Sequence, residues 1–433
     1  MRTFMLAAML MAAAGQAAAQ VVVMITDRTT DGVWLLSDSN GDWTINEATE
    51  LVRWFGAGNA AGLPGTLNPN TIGTLRSASD KYTLVGDQDT SARRIYWTRD
   101  LNNDNDAMDA GEAGVYADIT TAVGQWFAFP TGCTFDPTGT PVIVNGGNGF
   151  GPDAIWRCSD TNADGDANDT GESTALVTVN GFSTSNGSYS PQEIVYAEPG
   201  VLMLRNSSAN LHGIWRIRDV DGNGVADQAN EFTLWFGSGN QSAYTPSAGF
   251  AIDRDAIRPG AFYYQNVATG GVDEIWRVRD ANSDGDAQDA GEAVLVYITA
   301  ETGFTIIDVA SLADGSLLIT DNSGKRVYRL TDVDNDDKFT SAGERAEFFA
   351  NTMLQVGDVR NVSIWRDVAV CNDIDFNNNG VFPEDQDVVD FFDVLAGATC
   401  AACDVIDFNN NGVFPEDQDV VDFFNVLAGG DCP

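Results

Sequence analysis

Residues 274–298 read EIWRVRDANSDGDAQDAGEAVLVYI: an aromatic strand, a loop of alternating Asp and Asn, a glutamate, then a second apolar strand. The same element occurs six times. Its openings are Val33-Trp34-Leu35-Leu36-Ser37-Asp38, Ile95-Tyr96-Trp97-Thr98-Arg99-Asp100 and Ile155-Trp156-Arg157-Cys158-Ser159-Asp160. The other three are Ile214-Trp215-Arg216-Ile217-Arg218-Asp219, Ile275-Trp276-Arg277-Val278-Arg279-Asp280 and Val327-Tyr328-Arg329-Leu330-Thr331-Asp332. The opening aspartates recur every 52 to 62 residues, a period that marks a solenoid, a propeller or an array. Four strands can be read in a unit. In the sixth they cover 305–312, 316–320, 326–331 and 346–350, with Asp314-Gly315 as a hairpin turn; in the fourth, 193–197, 201–206, 213–219 and 232–236. Four antiparallel strands per repeat, without helical periodicity, fit a propeller blade better than a solenoid rung. The expected fold is all-β, a six-bladed β-propeller over residues 21–370. The first unit starts at Val21 without room for a first strand, and the last is followed by an orphan apolar run, 361–370 (NVSIWRDVAV). Ring closure by that run explains both and leaves no open sheet edge, whereas an open array would need capping repeats.

The loops carry the chemistry. With each opening aspartate as position 1, oxygen-bearing side chains stand at positions 1, 3, 5 and 13. They are Asp38, Asn40, Asp42 and Glu50; Asp100, Asn102, Asp104 and Glu112; Asp160, Asn162, Asp164 and Glu172. The remaining sets are Asp219, Asp221, Asn223 and Glu231; Asp280, Asn282, Asp284 and Glu292; Asp332, Asp334, Asp336 and Glu344. Alternating Asp/Asn oxygens closed by a distant Glu supply what Ca²⁺ requires, six to eight oxygen ligands. The loops resemble EF-hand calcium loops, with the closing Glu at 13 instead of 12 and without the position-6 glycine in several copies (Asn105, Asp337). Asp, Asn and Gly also favour plain polar turns, but six matches that each end in Glu speak for a cation. The all-oxygen donor set disfavours transition metals.

The formal charge is −40, from 63 acidic and 23 basic residues, 28 of the acids falling inside the six loops. Nucleic acid is excluded as a partner, because phosphate binding needs a basic patch. The chain is nonetheless 43% hydrophobic and 10% aromatic, too apolar for a disordered acidic tail. The aromatic residue four before each opening aspartate (Trp34, Tyr96, Trp156, Trp215, Trp276, Tyr328) is expected to pack between blades, not to form a ring of sugar platforms. Arg157, Arg216, Arg277 and Arg329 are expected to pair with loop carboxylates. The lone histidine, His212, reads as a surface residue.

Residues 1–20 have a charged start, a short apolar core and small residues at Ala17-Ala18-Ala19, the pattern of a secretory signal peptide. The run is too short for a membrane span, so the expected location is extracellular. Export permits disulfides among the six cysteines. Cys371, Cys400, Cys403 and Cys432 allow 371–400 with 403–432 or 371–432 with 400–403, and Cys133 with Cys158 is the expected third pair.

Residues 371–433 form a separate module. IDFNNNGVFPEDQDVVDFFDVLAG at 374–397 repeats at 406–429 with one change, Asp393 to Asn425. Each copy opens with another oxygen-rich loop, Asp375, Asn377 and Asn379 or Asp407, Asn409 and Asn411. Asp387 or Asp419 stands at position 13, with Glu384 or Glu416 as competing closers. A helix follows, started by Pro383 and stopped by Gly397, with Val388, Phe391, Phe392 and Leu395 along one apolar face. A duplicated calcium loop and helix ending in Ala-Gly-Gly-Asp-Cys-Pro resembles a bacterial dockerin domain of the GC type. The resemblance implies docking onto a cohesin-like receptor on a scaffold or cell surface. It covers this module only; the 32-residue repeat, the flanking cysteines and Asn at position 5 depart from ordinary dockerins.

For the propeller two classes of function stand side by side. One is a non-catalytic binding or structural module, with polysaccharide as a candidate ligand. The other is an enzyme with its site in the central channel, such as a polysaccharide-degrading enzyme, a lactonase or a sugar dehydrogenase. Most carboxylates that a glycosidase pair would draw on are already assigned to loops.

Overall fold

The computed structural model describes residues 21–63, 66–77, 80–89, 93–118, 129–136, 139–146, 153–177, 190–198, 200–208, 211–242, 247–267, 272–299, 301, 303–350, 357–365, 374–377, 379, 381, 384–400, 403, 406, 408 and 417–427. The leader at 1–20, Cys371, Cys432, Pro383 and the loop residues Asp407, Asn409 and Asn411 lie outside them.

The body consists of six four-stranded antiparallel sheets. Blade one joins β1 (Val22–Asp27), β2 (Gly32–Ser37) and β3 (Leu51–Gly56) to β24 (Val359–Ile364), in the order β24-β1-β2-β3. Blade two is β4 (Pro69–Ser77), β5 (Asp80–Asp87), β6 (Arg94–Arg99) and β7 (Ala113–Ala117). Blade three is β8 (Pro130–Phe135), β9 (Pro141–Asn145), β10 (Ala154–Cys158) and β11 (Ser173–Val177). Blade four is β12 (Pro191–Glu198), β13 (Val201–Asn206), β14 (Gly213–Arg218) and β15 (Phe232–Gly237). Blade five is β16 (Ile252–Arg254), β17 (Ala261–Val267), β18 (Asp273–Arg279) and β19 (Ala293–Ile298). Blade six is β20 (Ile306–Ser311), β21 (Leu317–Asp321), β22 (Arg326–Leu330) and β23 (Arg345–Ala350). The expected six-bladed propeller is the fold, and the strands read in units four and six fall within about two residues of their places.

The orphan run closes the ring. β24 pairs antiparallel with β1, Val23 opposite Ile364 and Ile25 opposite Val362. The first strands of the blades (β24, β4, β8, β12, β16, β20) touch one another in a circle and line the channel. Second strands such as β9, β13 and β21 are buried along their whole length, because each blade is covered on both faces by its neighbours; hence their continuous apolar runs. Six hydrophobic clusters follow, each drawn from two adjacent blades, and the blade-six/blade-one cluster unites Phe348 and Phe349 with Val23 and Ile25. The repeated aromatics sit in or against these clusters, with Tyr96 fully buried and Trp215 stacked 4.9 Å from Phe232.

A second repeat feature was not legible in the sequence. The last residue of each second strand, or in β17 the one before it, is a buried Asp or Asn whose carbonyl or carboxylate oxygen accepts a backbone N–H from the segment entering its own blade. Asn145 accepts from Phe129 (3.0 Å), Asn206 from Ser190 (2.8 Å), Asn266 from Ser247 (3.0 Å), Asp321 from Thr305 (3.2 Å), Asp87 from Asn68 (2.9 Å) and Asp27 from Asp358 (3.0 Å). These contacts satisfy donors that would otherwise be orphaned at the blade entry.

Two expectations about side chains need correction. Cys133 and Cys158 are buried free thiols. They belong to β8 and β10, which flank β9; two strand spacings come to about 9.5 Å, beyond disulfide reach. His212 is half-buried, not on the surface, and burial together with the neighbouring Arg205 charge lowers its pKa.

Two helices, α1 (Asp385–Leu395) and α2 (Asp417–Leu427), follow the propeller. Their core is four buried phenylalanines, Phe376, Phe391, Phe408 and Phe423. Phe391 and Phe423 stack at 4.2 Å, and the Phe376–Phe391 and Phe408–Phe423 contacts are both edge-on at 5.2 Å. Near-identical repeats thus pack about a pseudo-twofold axis. On the expected apolar face Phe391 is buried and Phe392 exposed, and loop residue Phe376 completes the core. Cys400 and Cys403 are disulfide-bonded, which selects between the two pairings for that pair. Among the described residues no helix is long and apolar enough to cross a membrane.

Candidate functional site

Each acidic loop joins the third and fourth strands of its blade and is built by its own side chains. The position-1 carboxylate folds the loop over itself: Asp332 accepts backbone N–H groups of Asp336 (3.2 Å) and Asp337 (2.9 Å), and Asp219 those of Gly222 (2.8 Å) and Gly224 (2.8 Å). Position 3 accepts from the N–H of position 5 and position 5 from that of position 7, as in Asn40←Asp42 (2.8 Å) and Asp42←Thr44 (2.7 Å). Position 6 is left-handed in all six loops whatever its side chain: Trp43 (φ 61), Asn105 (φ 71), Gly165 (φ 100), Gly224 (φ 88), Gly285 (φ 101) and Asp337 (φ 71). The missing glycines therefore leave the turn intact, with Asn and Asp tolerating the conformation best.

The closing glutamates are buried clasps. Glu112 accepts the backbone N–H groups of Leu101 (2.9 Å) and Asp109 (3.0 Å), Glu292 those of Ala281 (2.9 Å) and Asp289 (2.9 Å), and Glu50, Glu172, Glu231 and Glu344 repeat the arrangement. The N–H of Gln228, with those of Val220, Asp221 and Asp227, outweighs burial and holds the Glu231 carboxyl below its usual range.

Among the described residues the sixth loop brings carboxylate oxygens of Asp332, Asp334, Asp336 and Glu344 within 4.8 Å of one another, and the fourth does so for Asp219, Asp221 and Glu231. In loops two, three and five an amide nitrogen stands between two carboxylates instead. Asn102 donates to Asp104 (2.9 Å) and Asp109 (2.8 Å), Asn162 to Asp164 (3.1 Å) and Asp169 (2.6 Å), and Asn282 to Asp284 (3.1 Å) and Asp289 (2.6 Å). Rotating the amide would present its oxygen to the same point only by giving up the position-5 N–H which that oxygen now accepts. This exposes a missed position: residue 10, Asp109, Asp169 or Asp289, faces the loop centre beside position 3. Its signal was an aspartate three residues before the closing Glu, hidden because an even position falls outside the odd-position alternation.

The first C-terminal loop repeats the pattern, Asp375←Asn379 (2.9 Å), Asn377←Asn379 (3.1 Å) and Asn379←Val381 (2.7 Å). Asp387 is fully buried, and among the described residues no donor reaches its Oδ1 with ordinary hydrogen-bond geometry. Asp419 is likewise buried and accepts the Phe408 N–H at 2.9 Å.

Position 8 ties the loops together. Its backbone N–H donates to a carbonyl on the outermost strand of the preceding blade in every case. The six bonds are Ile45→Phe348 (2.7 Å), Ala107→Trp54 (2.8 Å), Ala167→Tyr116 (2.7 Å), Ala226→Leu176 (2.8 Å), Ala287→Trp235 (2.8 Å) and Phe339→Val296 (2.7 Å). The arginines serve the same junctions, and of those expected to pair with loop carboxylates Arg277 does so. Arg216 donates to the Gly285 carbonyl (2.7 Å) of the next loop, Arg277 pairs with Asp337 (2.6 Å), and Arg329 pairs with Asp314 in its own hairpin while covering Trp43 of the next loop.

The loops occupy one face of the ring. In a four-stranded meander the first-to-second and third-to-fourth connections share a face, and the blade entries and second-to-third turns share the other. On that other face the channel opens into a cavity of about 260 Å³ lined by Arg28, Arg360, Gln192, Glu193, Phe129 and Phe250 among others. Below it, carboxylates face one another from different blades. Glu193 hydrogen-bonds Asp308, whose oxygens also accept the N–H groups of Val362 (2.7 Å) and Val309 (2.8 Å). Burial, then the Asp308 and Asp253 charges, push Glu193 well above the carboxylate range, and burial raises Asp308 as well. The folded chain thus binds more protons here than the unfolded chain above about pH 4, and stability falls as pH rises through the raised values. Glu193→Gln, which keeps a donor to Asp308, is expected to stabilise the protein by about 2 kcal/mol at pH 8 and by almost nothing at pH 4.5. Paired thermal melts at the two pH values check the sign.

No family model matches the chain, and no curated protein matches it. Among solved structures it is similar to a protein of unknown function from Bacteroides caccae (9% identity, covering 81% of this chain and 100% of that one, TM-score 0.45). It is also similar to virginiamycin B lyase from Staphylococcus aureus (14%, 75% and 80%, TM-score 0.42) and to the WD40 propeller domain of Doa1 (8%, 75% and 96%, TM-score 0.38). Such identities carry no activity from those proteins to this one.

Proposed function

We propose that the protein is an exported, calcium-binding β-propeller that acts as a binding or structural module. Residues 371–433 hold it to a cell surface or extracellular scaffold as a dockerin-like domain on a cohesin-like partner. The observation that carries this reading is the shared loop architecture: one hydrogen-bond pattern recurs in the six propeller loops and in the first C-terminal loop. The donor set fits Ca²⁺, being carboxylates and amides alone. The buried Oδ1 of Asp387, which no donor among the described residues meets with ordinary geometry, fits it too, since an ill-satisfied buried oxygen is costly unless a cation meets it. In the loops Ca²⁺ would be held by positions 1, 3 and 5 with the position-13 glutamate, which also fixes the loop backbone, joined in loops two, three and five by the position-10 aspartate. Docking is supported by matched exposed pairs on the two helices, Val389 with Phe392 and Val421 with Phe424.

The full chain is expected to be retained on cohesin-like surface proteins in calcium and released by chelator. Asp375→Ala and Asp407→Ala should each leave binding intact, and the double variant should abolish it. A wild-type chain that captures nothing in calcium removes the docking role; loss in only one single variant removes the symmetry. A second reading, a channel enzyme acting on carbohydrate, is favoured by the proton-sharing Glu193–Asp308 pair. Polysaccharide retained without sugar release separates binding from turnover.

A further inference from the structure

We propose that the channel mouth, on the face opposite the acidic loops, binds a monocyclic sugar acid, its carboxylate between Arg28 and Arg360 and its ring against Phe250. Neither the loops' metal nor the C-terminal module enters this inference.

The two guanidiniums come from blade one, Arg28 from the turn after β1 and Arg360 from β24. In a chain with 63 acids and 23 bases, two cations side by side at one opening need a reason. Arg28 is held by neutral oxygens only: the Pro69 carbonyl (3.4 Å), the Gln88 amide (2.7 Å) and the Asn70 amide. Among the described residues it has no carboxylate at ion-pair distance. Arg360 uses Nε and one Nη on Asp358 (2.7 and 3.3 Å), so each arginine keeps one Nη without a hydrogen bond among the described residues. Burial, then repulsion from Arg360, lowers Arg28 to about 10. It stays charged at neutral pH, and an anion between the two would relieve the strain of their proximity.

The rest of the mouth sets the shape of the ligand. Blade four lies opposite blade one in a ring of six, and it contributes Gln192 and Glu193, groups suited to hydroxyls. Phe129 and Phe250 enter from the blades on either side of blade four, and Phe250 is 39% exposed at the rim. An aromatic face beside amides and a carboxyl is the surface a sugar ring meets with its C–H groups on one side and its hydroxyls on the other. A cavity of about 260 Å³ lies just under the range of drug-sized sites, roughly 300–1,000 Å³, which limits the guest to one ring.

Calorimetric titration of the full-length protein with D-galacturonate, D-galactose, acetate and sulfate tests the proposal. Galacturonate is expected to bind at least tenfold more tightly than the other three. Galactose tests the carboxylate, acetate the ring, and sulfate a bare anion site. Arg28→Gln and Arg360→Gln should each weaken galacturonate tenfold or more and leave any galactose signal unchanged. Phe250→Ala, at an exposed position and without effect on the fold, should weaken it several-fold and decides the matter if an arginine variant does not fold. Acetate or sulfate binding as tightly as galacturonate, or galacturonate affinity unchanged in both Arg360→Gln and Phe250→Ala, overturns the assignment.

Discussion

Chelating calcium is expected to lower the melting temperature of this protein by tens of degrees. At free calcium a hundredfold above its dissociation constant, each occupied loop contributes about 2.7 kcal/mol, so six loops contribute on the order of 15 kcal/mol, comparable with the whole stability of a typical domain. The loops are also where charge is concentrated, with 28 of the 63 acids, and without a counter-ion that density works against the compact state. Each loop fastens its blade to the one before it through the position-8 N–H, so relaxation of a loop loosens an interface between blades and not merely a surface turn. Thermal melts with and without EGTA, at low and high salt, check this. High salt should restore part of the loss by screening the carboxylates, and unchanged melting temperatures would sink the calcium reading.

The second large effect concerns ring closure. A chain ending at Val370 is expected to melt as the full protein does in its propeller transition, whereas one ending at Gln355 should lose cooperative folding. The shorter chain lacks β24, which supplies Val359 and Val362 to the junction of blades six and one. It also lacks Trp365, whose ring packs edge-on against Trp54 at 4.9 Å and whose backbone N–H donates to the Val22 carbonyl at 2.8 Å. Asn361 additionally accepts the Ile72 N–H (3.2 Å), so blade two loses a partner as well. Deleting one strand would leave β1 as an open edge and strip apolar cover from two interfaces, beyond what 5–15 kcal/mol of stability withstands. Similar melts for both chains would refute closure by β24.

The fold was legible because its signals were local and repeated. The openings from Trp34 to Tyr328 fix the third strand of every blade, and the vacancy before Val21 matched the surplus strand after residue 360. The loop ligands at positions 1, 3 and 5 were legible for the same reason. What escaped depends on residues brought together from different blades. Nothing near Glu193 announces Asp308, 115 positions further on, and Arg28 and Arg360 meet only because the ring closes. The Cys133–Cys158 expectation failed because spacing along the chain does not reveal that β9 intervenes. Helical period placed Phe391 and Phe392 on one apolar face but could not tell which of them is buried, and Phe376, which completes the core, lies on a loop that carries no period.

β24 also determines how the molecule bears tension. Its rungs to β1 run across its own axis, so a pull along that axis on a segment attached after Trp365 meets them side-on. Such a load would shear all of them together instead of opening them one after another. The strand so loaded is the innermost of its blade, gripped by β20 and β4 as well as by β1. Drag on a protein tethered by its C-terminal end would therefore reach the axis of the ring, where resistance to extraction is greatest, and the outer rims of the blades would go unloaded.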